Sequence, residues 1–197
     1  MHAVDWTAAA GVLGVIGAWI AFAFVFCFRT KPPEAPERKR DRASYWGMGL
    51  EAMGYWSVWI LPRPFFSPIV PMPKTAEIAM AVLTIAIRAT SVWLCGAAVR
   101  RLGKQWTYRA RLIEGHELIT QGPYSLVRNP IYLGMFGMLL ATGLAAGRWP
   151  VVIGGSIAFL IGTQIRIRSE EKLLREEFGE EFQGYARRVP TLIPGIY

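Results

Sequence analysis

The chain alternates between long uncharged apolar blocks and short polar stretches dense in Arg, Lys and Glu. The first block runs from Trp6 to Phe28 without a charge. At about 1.5 Å per residue a helix of that length reaches roughly 35 Å, enough to cross a hydrocarbon layer of about 30 Å. A second block, Tyr45 to Leu61, is shorter and carries Glu51. Its ends hold Tyr45, Trp46, Trp56 and Trp59, aromatic residues that suit a membrane interface. Thr75 to Val99 is long enough to span and has Arg88 near its middle. Two shorter blocks, Ile131 to Ala146 and Pro150 to Ile165, are separated by Gly147-Arg148-Trp149-Pro150, which predicts a tight helical hairpin. Residues 29–42, with Pro32, Pro33 and Pro36 in a charged run, read as a solvated connector. Five prolines from Pro62 to Pro73 predict an irregular loop.

Composition sharpens this picture. Of 197 residues 53% are hydrophobic and 18% charged, against about 25% charged in an average soluble domain. A disordered chain, a disulfide scaffold and an ordinary basic nucleic-acid binder are excluded. Cys27 and Cys95 each sit inside an apolar block without metal-ligand spacing and read as packing residues. His2 and His116 are the only histidines, which excludes a histidine-rich metal site, and no metal is expected. Gly11, Gly14 and Gly17 lie in an apolar run with no preceding strand, so they read as close helix contacts rather than a phosphate loop.

The net charge of +8 is unevenly placed. Six Lys and Arg fall in Arg29–Arg42, six in Arg100–Arg128 and six in Arg166–Arg188, whereas the intervening polar stretches hold only Arg63, Lys74 and Arg148. Basic residues collect on the cytoplasmic side of membrane proteins. The expectation is therefore an all-α polytopic membrane protein of five transmembrane helices, N-terminus outside and C-terminus cytoplasmic. The first block lacks a basic flank before it and is followed by one, as in a retained anchor. Residues 1–99 would form three transmembrane helices with their connectors, and residues 100–197 a core in which a cytoplasmic loop, the hairpin and a C-terminal amphipathic helix meet. Arg88 at mid-membrane needs a partner, and Glu51 is the expected one, with substrate contact as the alternative.

Candidate chemistry lies in the two cytoplasmic stretches. In residues 114–132 Gly115 and the Gly122-Pro123 pair force turns. Asn129-Pro130 opens the next helix, leaving Arg128 and Asn129 at an N-terminus that favours anions. A capped helix with interfacial tyrosines is the plain alternative. Beyond Ile165, Arg166 and Glu170 are four apart and share one helical face, offering a cation and an anion together. An i,i+4 ion pair worth about 0.2–0.5 kcal/mol is the structural alternative there. Leu174, Phe178, Phe182, Tyr185 and Val189 recur at steps of three and four, which predicts an amphipathic helix on the membrane or on the cytoplasmic loop, read as packing.

Residues 122–132 (Gly-Pro-Tyr-Ser-Leu-Val-Arg-Asn-Pro-Ile-Tyr), an apolar hairpin, then Glu170-Glu171, Glu177-Phe-Gly-Glu-Glu-Phe, Tyr185-Ala-Arg-Arg-Val-Pro190 and Ile193-Pro194 together carry a resemblance. Over about residues 100–197 the chain resembles the isoprenylcysteine carboxyl methyltransferase family, part of whose pattern is shared by phospholipid N-methyltransferases. The resemblance implies an integral-membrane enzyme using S-adenosylmethionine without a Rossmann domain. It implies that His116, Glu117, Leu118, Ile119, Tyr124, Asn129, Pro130, Ile131, Tyr132 and Glu170 line the cofactor pocket. Arg166 would be the catalytic, substrate-orienting arginine, with Arg128 and Arg188 also on the substrate. The family usually has histidine where Asn129 stands, and asparagine neither titrates nor carries charge.

The implied acceptor is the carboxylate of a lipophilic, isoprenylcysteine-like substrate, small or lipidated, entering from the bilayer. Such a carboxylate is ionised at neutral pH and needs positioning rather than a base. A lipid amine would first lose a proton, to Glu170 or Glu171, and a sulfur nucleophile stays open. The membrane would be the inner membrane in a bacterium or the endoplasmic reticulum in a eukaryote. Two other classes compete: an NADPH-dependent membrane reductase of steroid-reductase type, and a non-enzymatic scaffold or small transporter.

Overall fold

The computed structural model describes residues 6–27, 37–62, 73–108 and 110–194. Most of the connector 29–42 and of the proline-rich loop lies outside these residues. Five helices dominate: α1 (Trp6–Cys27), α2 (Ser44–Ile60), α3 (Lys74–Leu102), α4 (Pro130–Ala146) and α5 (Trp149–Arg188). Among the described residues α3 and α5 are long and apolar enough to cross a membrane, while Leu13–Cys27 and α4 are apolar but shorter. Leu13, Ile16, Ile20, Ile78, Val82, Ile85, Ile153, Ile157 and Ile161 point outward, so α1, α3 and α5 each present large apolar side chains on the exterior.

Helix α2 packs along α5, α3 along α4, and α1 against α3. Small residues set the first pairing. Gly47 and Gly54 on α2 meet Gly162 and Gly155 on the antiparallel α5. A β-carbon on Gly162 would stand 2.5 Å from the Gly47 carbonyl oxygen, and one on Gly54 would stand 2.6 Å from that of Gly155. Close backbone approach of this kind is how helices associate where lipid tails compete for apolar contact. Val58, Leu139 and Phe159 fill the space between α2, α4 and α5, and Phe22, Cys95 and Met138 that between α1, α3 and α4. The hairpin forms as expected, with Gly143 and Gly147 accommodating Val152.

Three features depart from expectation. Residues Glu37–Arg40, in the expected connector, form a strand (β1) antiparallel to Arg111–Ile113 (β2). The terminal amphipathic segment is split at Gly179, and residues 180–188 form a helix of their own beyond the break. At Gly179 the backbone leaves the helical region (φ 50°), a conformation glycine adopts freely, so the expected stripe from Leu174 to Val189 is divided between the end of the long helix and the short one after it. Finally, Glu51 is not the partner of Arg88. The Arg88 guanidinium, buried in α3, donates from Nη2 to the Ala141 carbonyl at 3.2 Å. Because α2 lies on α5 rather than on α3, Glu51 pairs instead with Arg166.

Candidate active site

A cavity of about 430 Å³ opens where the loop after α3, the start of α4 and the middle of α5 converge. The loop reaches it through two glycine turns, Gly115 (φ 71°) and Gly122 (φ 65°). Of the expected site residues, His116, Glu117, Leu118, Ile119, Tyr124, Arg128, Asn129, Pro130, Ile131, Tyr132, Arg166 and Glu170 all line this cavity. Arg188 does not. It is exposed at the end of α5, and its guanidinium has no place in the wall.

The polar end centres on Arg166, 8% exposed. Its Nη1 donates to Glu51 Oε2 at 2.6 Å, its Nη2 to the Tyr108 carbonyl at 2.8 Å, and its Nε has no hydrogen-bond partner. The guanidinium lies 4.9 Å above the Tyr132 ring, a cation–π contact. Glu170 is only 3.9 Å from Nη2, and its Oε1 accepts the Tyr132 hydroxyl. The arginine therefore spends its strongest contact on Glu51. The Glu170 carboxylate, 30% exposed, faces the cavity with Arg166 as its looser ion-pair partner.

Arg128 and Asn129 line the cavity at the start of α4 and also bind the C-terminal segment. Arg128 donates to Glu171 at 2.9 Å, to the Ala186 and Val189 carbonyls at 2.9 and 2.5 Å, and to the Thr191 hydroxyl at 2.7 Å. The backbone N–H groups of Arg128 and Asn129 donate to the Pro190 and Thr191 carbonyls, and Asn129 Nδ2 donates to Thr191 at 3.0 Å. These contacts strap the C-terminal segment to the start of α4.

The rest of the wall is less polar. Buried His116 Nδ1 has no partner, and burial holds the imidazole below its ordinary range, with Glu177 partly opposing. Burial pushes the Tyr124 phenol well above its usual range. Its carbonyl accepts the Tyr185 hydroxyl at 2.6 Å. Trp19, Phe22, Phe26 and Met135 form an apolar end reaching along α1. Sequence reasoning missed this α1 wall, the aromatic pair Trp106 and Tyr108, and Glu51. It read Leu174, Phe182 and Tyr185 as packing, whereas they also line the cavity. The stripe was visible in the sequence, but its target was not.

A phospholipid methyltransferase family model matches residues 78–181, from α3 to beyond the break in α5. The chain belongs to this family. It is 33% identical over 115 residues to a nickel-cobalt-cadmium resistance protein of Alcaligenes xylosoxydans xylosoxydans, covering 57% of this chain and 53% of that one. It is 29% identical over 106 residues to the protein-S-isoprenylcysteine O-methyltransferase of Schizosaccharomyces pombe, covering 53% and 45%. It is 33% identical over 91 residues to methanethiol S-methyltransferase 2 of Bradyrhizobium diazoefficiens, covering 46% and 34%. The chain spans about half the length of the curated relatives it matches.

Proposed function

We propose that the protein is an integral-membrane methyltransferase that takes its methyl group from S-adenosylmethionine and delivers it to a lipophilic acceptor at the cytoplasmic interface. Five membrane-crossing helices, N-terminus outside and C-terminus cytoplasmic, complete this reading, which the charge placement supports. The observation that carries it is the two-ended cavity, polar at Tyr132, Arg166 and Glu170 and apolar along α1. Its volume of about 430 Å³ suits a small-molecule site.

The residues fit the cofactor. Glu170 offers a partly exposed carboxylate whose ion pair with Arg166 is long, at 3.9 Å, and His116 Nδ1 and Arg166 Nε are polar atoms lacking partners. When bound, S-adenosylmethionine supplies a methyl group on a sulfonium, an electrophile strong enough to need no metal. His116 to Ile119, Tyr124 and Asn129 to Tyr132 would hold it. Glu170 would balance its positive charge, with Tyr132 fixing that carboxylate. Tyr185, Phe182 and the strapped segment 186–194 would exclude water. The apolar end at Trp19, Phe22 and Phe26 would receive the acceptor's tail. Two kinds of acceptor are compatible with the polar groups: a carboxylate, as in an isoprenylcysteine, oriented by Arg166 Nε, and a proton-bearing amine or thiol whose proton Glu170 would accept.

Thermal melting of the purified protein in detergent tests the reading. S-adenosylhomocysteine should stabilise the wild type, NADPH should not, and Glu170→Ala should reduce the stabilisation. A melting curve unmoved by saturating S-adenosylhomocysteine refutes it.

A further inference from the structure

The apolar end of the cavity has a defined terminus. Ring contacts run from Tyr108, whose carbonyl accepts Arg166 Nη2, through Trp106, Phe26 and Phe22 to Trp19, with centroids 4.6, 5.7, 5.0 and 5.8 Å apart in that order. This aromatic wall leads away from the reacting groups along α1. The cavity follows α1 over positions 19–27, about 12 Å at the helical rise. Among the described residues of α1, Trp19 is the one farthest from Cys27 that lines it.

Trp19 is held there from several sides. Its indole Nε1 donates to the hydroxyl of buried Thr142 at 3.2 Å, and its ring meets Phe22 and Tyr55 edge-on, the latter at 5.4 Å. Tyr55 is itself fixed: its hydroxyl donates to the Met135 carbonyl at 2.6 Å, and its ring stands edge-on to buried Phe159. An indole braced in this way does not swing aside as a flexible methionine does. The Trp19 N–H and the Tyr55 O–H are both spent on protein acceptors, so neither has a donor left for a ligand, and a hydrocarbon chain suits this end. One turn beyond, Val15 lies on the same face of α1 and is fully buried. The indole thus stands between the cavity and a further apolar turn of the helix.

We propose that Trp19 is a specificity-determining residue: it closes the apolar end and sets the longest acceptor chain that the cavity takes up fully extended. Trp19 lies outside the stretch 78–181 matched by the family model, so chain-length selection belongs to a helix beyond the matched core. This inference rests on the methyltransferase reading and adds to it the length of the acceptor's tail, whatever reacting group that tail carries.

The test uses the full chain in detergent saturated with S-adenosylhomocysteine, wild type and Trp19→Ala, with binding followed by calorimetry. The probes are S-hexylcysteine, whose chain is shorter than the run from Cys27 to Trp19, and S-tetradecylcysteine, whose chain overruns it. Both carry an amine and a carboxylate, so either kind of acceptor end is represented. Comparing variant with wild type on the same probe cancels the share of probe lost to micelles. Each methylene buried is worth about a fourfold gain in affinity. Opening one helical turn of about 5.4 Å admits several of them. Trp19→Ala should therefore bind S-tetradecylcysteine at least about tenfold more tightly than wild type. Its affinities for S-hexylcysteine and S-adenosylhomocysteine should stay within about threefold of wild type. Where the alanine variant does not fold, Trp19→Leu decides, with a gain of at least about threefold for the long probe. A smaller gain, an equal gain for both probes, or binding of neither probe overturns the proposal. Absence of S-adenosylhomocysteine binding to the wild type, by contrast, overturns the methyltransferase reading itself.

Discussion

Removing Arg128 should undock the C-terminal segment. The side chain makes four hydrogen bonds, to Glu171, Ala186, Val189 and Thr191, and only 11% of it is exposed, against 9% for Glu171. An exposed ion pair would be worth at most about 1 kcal/mol, but burial places this one in another class. Breaking a buried pair from one side costs about 3–5 kcal/mol. The lower end applies here, because Glu171 keeps a second partner in Arg175 at 2.9 Å, itself 55% exposed. A cost of about 3 kcal/mol corresponds to about a hundredfold loss of hydrogen-exchange protection. The place to read it is the amide protons of Arg128 and Asn129, which donate to Pro190 and Thr191. In Arg128→Ala those amides should exchange about a hundred times faster, while amides in the middle of α3 remain protected. Arg128→Lys should recover only part of the protection, because an ammonium cannot reproduce the planar fork. Exchange at both amides within threefold of wild type would refute the strap.

Gly162→Ala should destabilise by about 1–3 kcal/mol through overpacking against α2. Gly154→Ala, whose β-carbon meets nothing within 4 Å, should be neutral or stabilising by up to about 1 kcal/mol, and paired melts in detergent decide. Arg88→Met should be neutral or stabilising, because Arg88 has one long bond to Ala141 and an unpartnered Nε. Glu51→Leu should cost about 3–5 kcal/mol by orphaning Arg166, and the reverse order would restore the pairing expected from sequence. His116 has its proton affinity lowered by burial. Below 6.5 the unfolded chain binds a proton that the folded chain resists, so its contribution favours folding above that pH and declines below it. Subtracting the stability–pH curve of His116→Gln from that of wild type should leave a positive slope just below pH 6.5 and none above about 7.5.

Local patterns in the chain carried much of the site. Gly115 and Gly122 turn where glycine was required, Asn129-Pro130 opens α4, and the four-residue spacing of Arg166 and Glu170 puts both on the cavity wall. What stayed hidden depends on which helix lies beside which. Arg88 and Glu51 looked like partners because both are charges in apolar blocks, yet α2 faces α5. The seven-residue spacing shared by Gly47 and Gly54 and by Gly155 and Gly162 was the available clue, and it went unread. The pairing of β1 with β2 joins residues more than seventy apart, and a charged run such as Glu37–Arg40 gives no alternation to announce a strand. The structural partners of Arg128 were also hidden, because two of its acceptors are carbonyls some sixty residues away that no sequence pattern marks.

The most direct test of the account is an experimental structure of the protein with S-adenosylhomocysteine. The ligand should lie in the cavity between the His116–Ile119 loop and the Tyr132–Arg166–Glu170 group, with its sulfur facing the apolar end along α1. Ligand density at any other place on the molecule, or an unchanged cavity at saturating ligand, would contradict it.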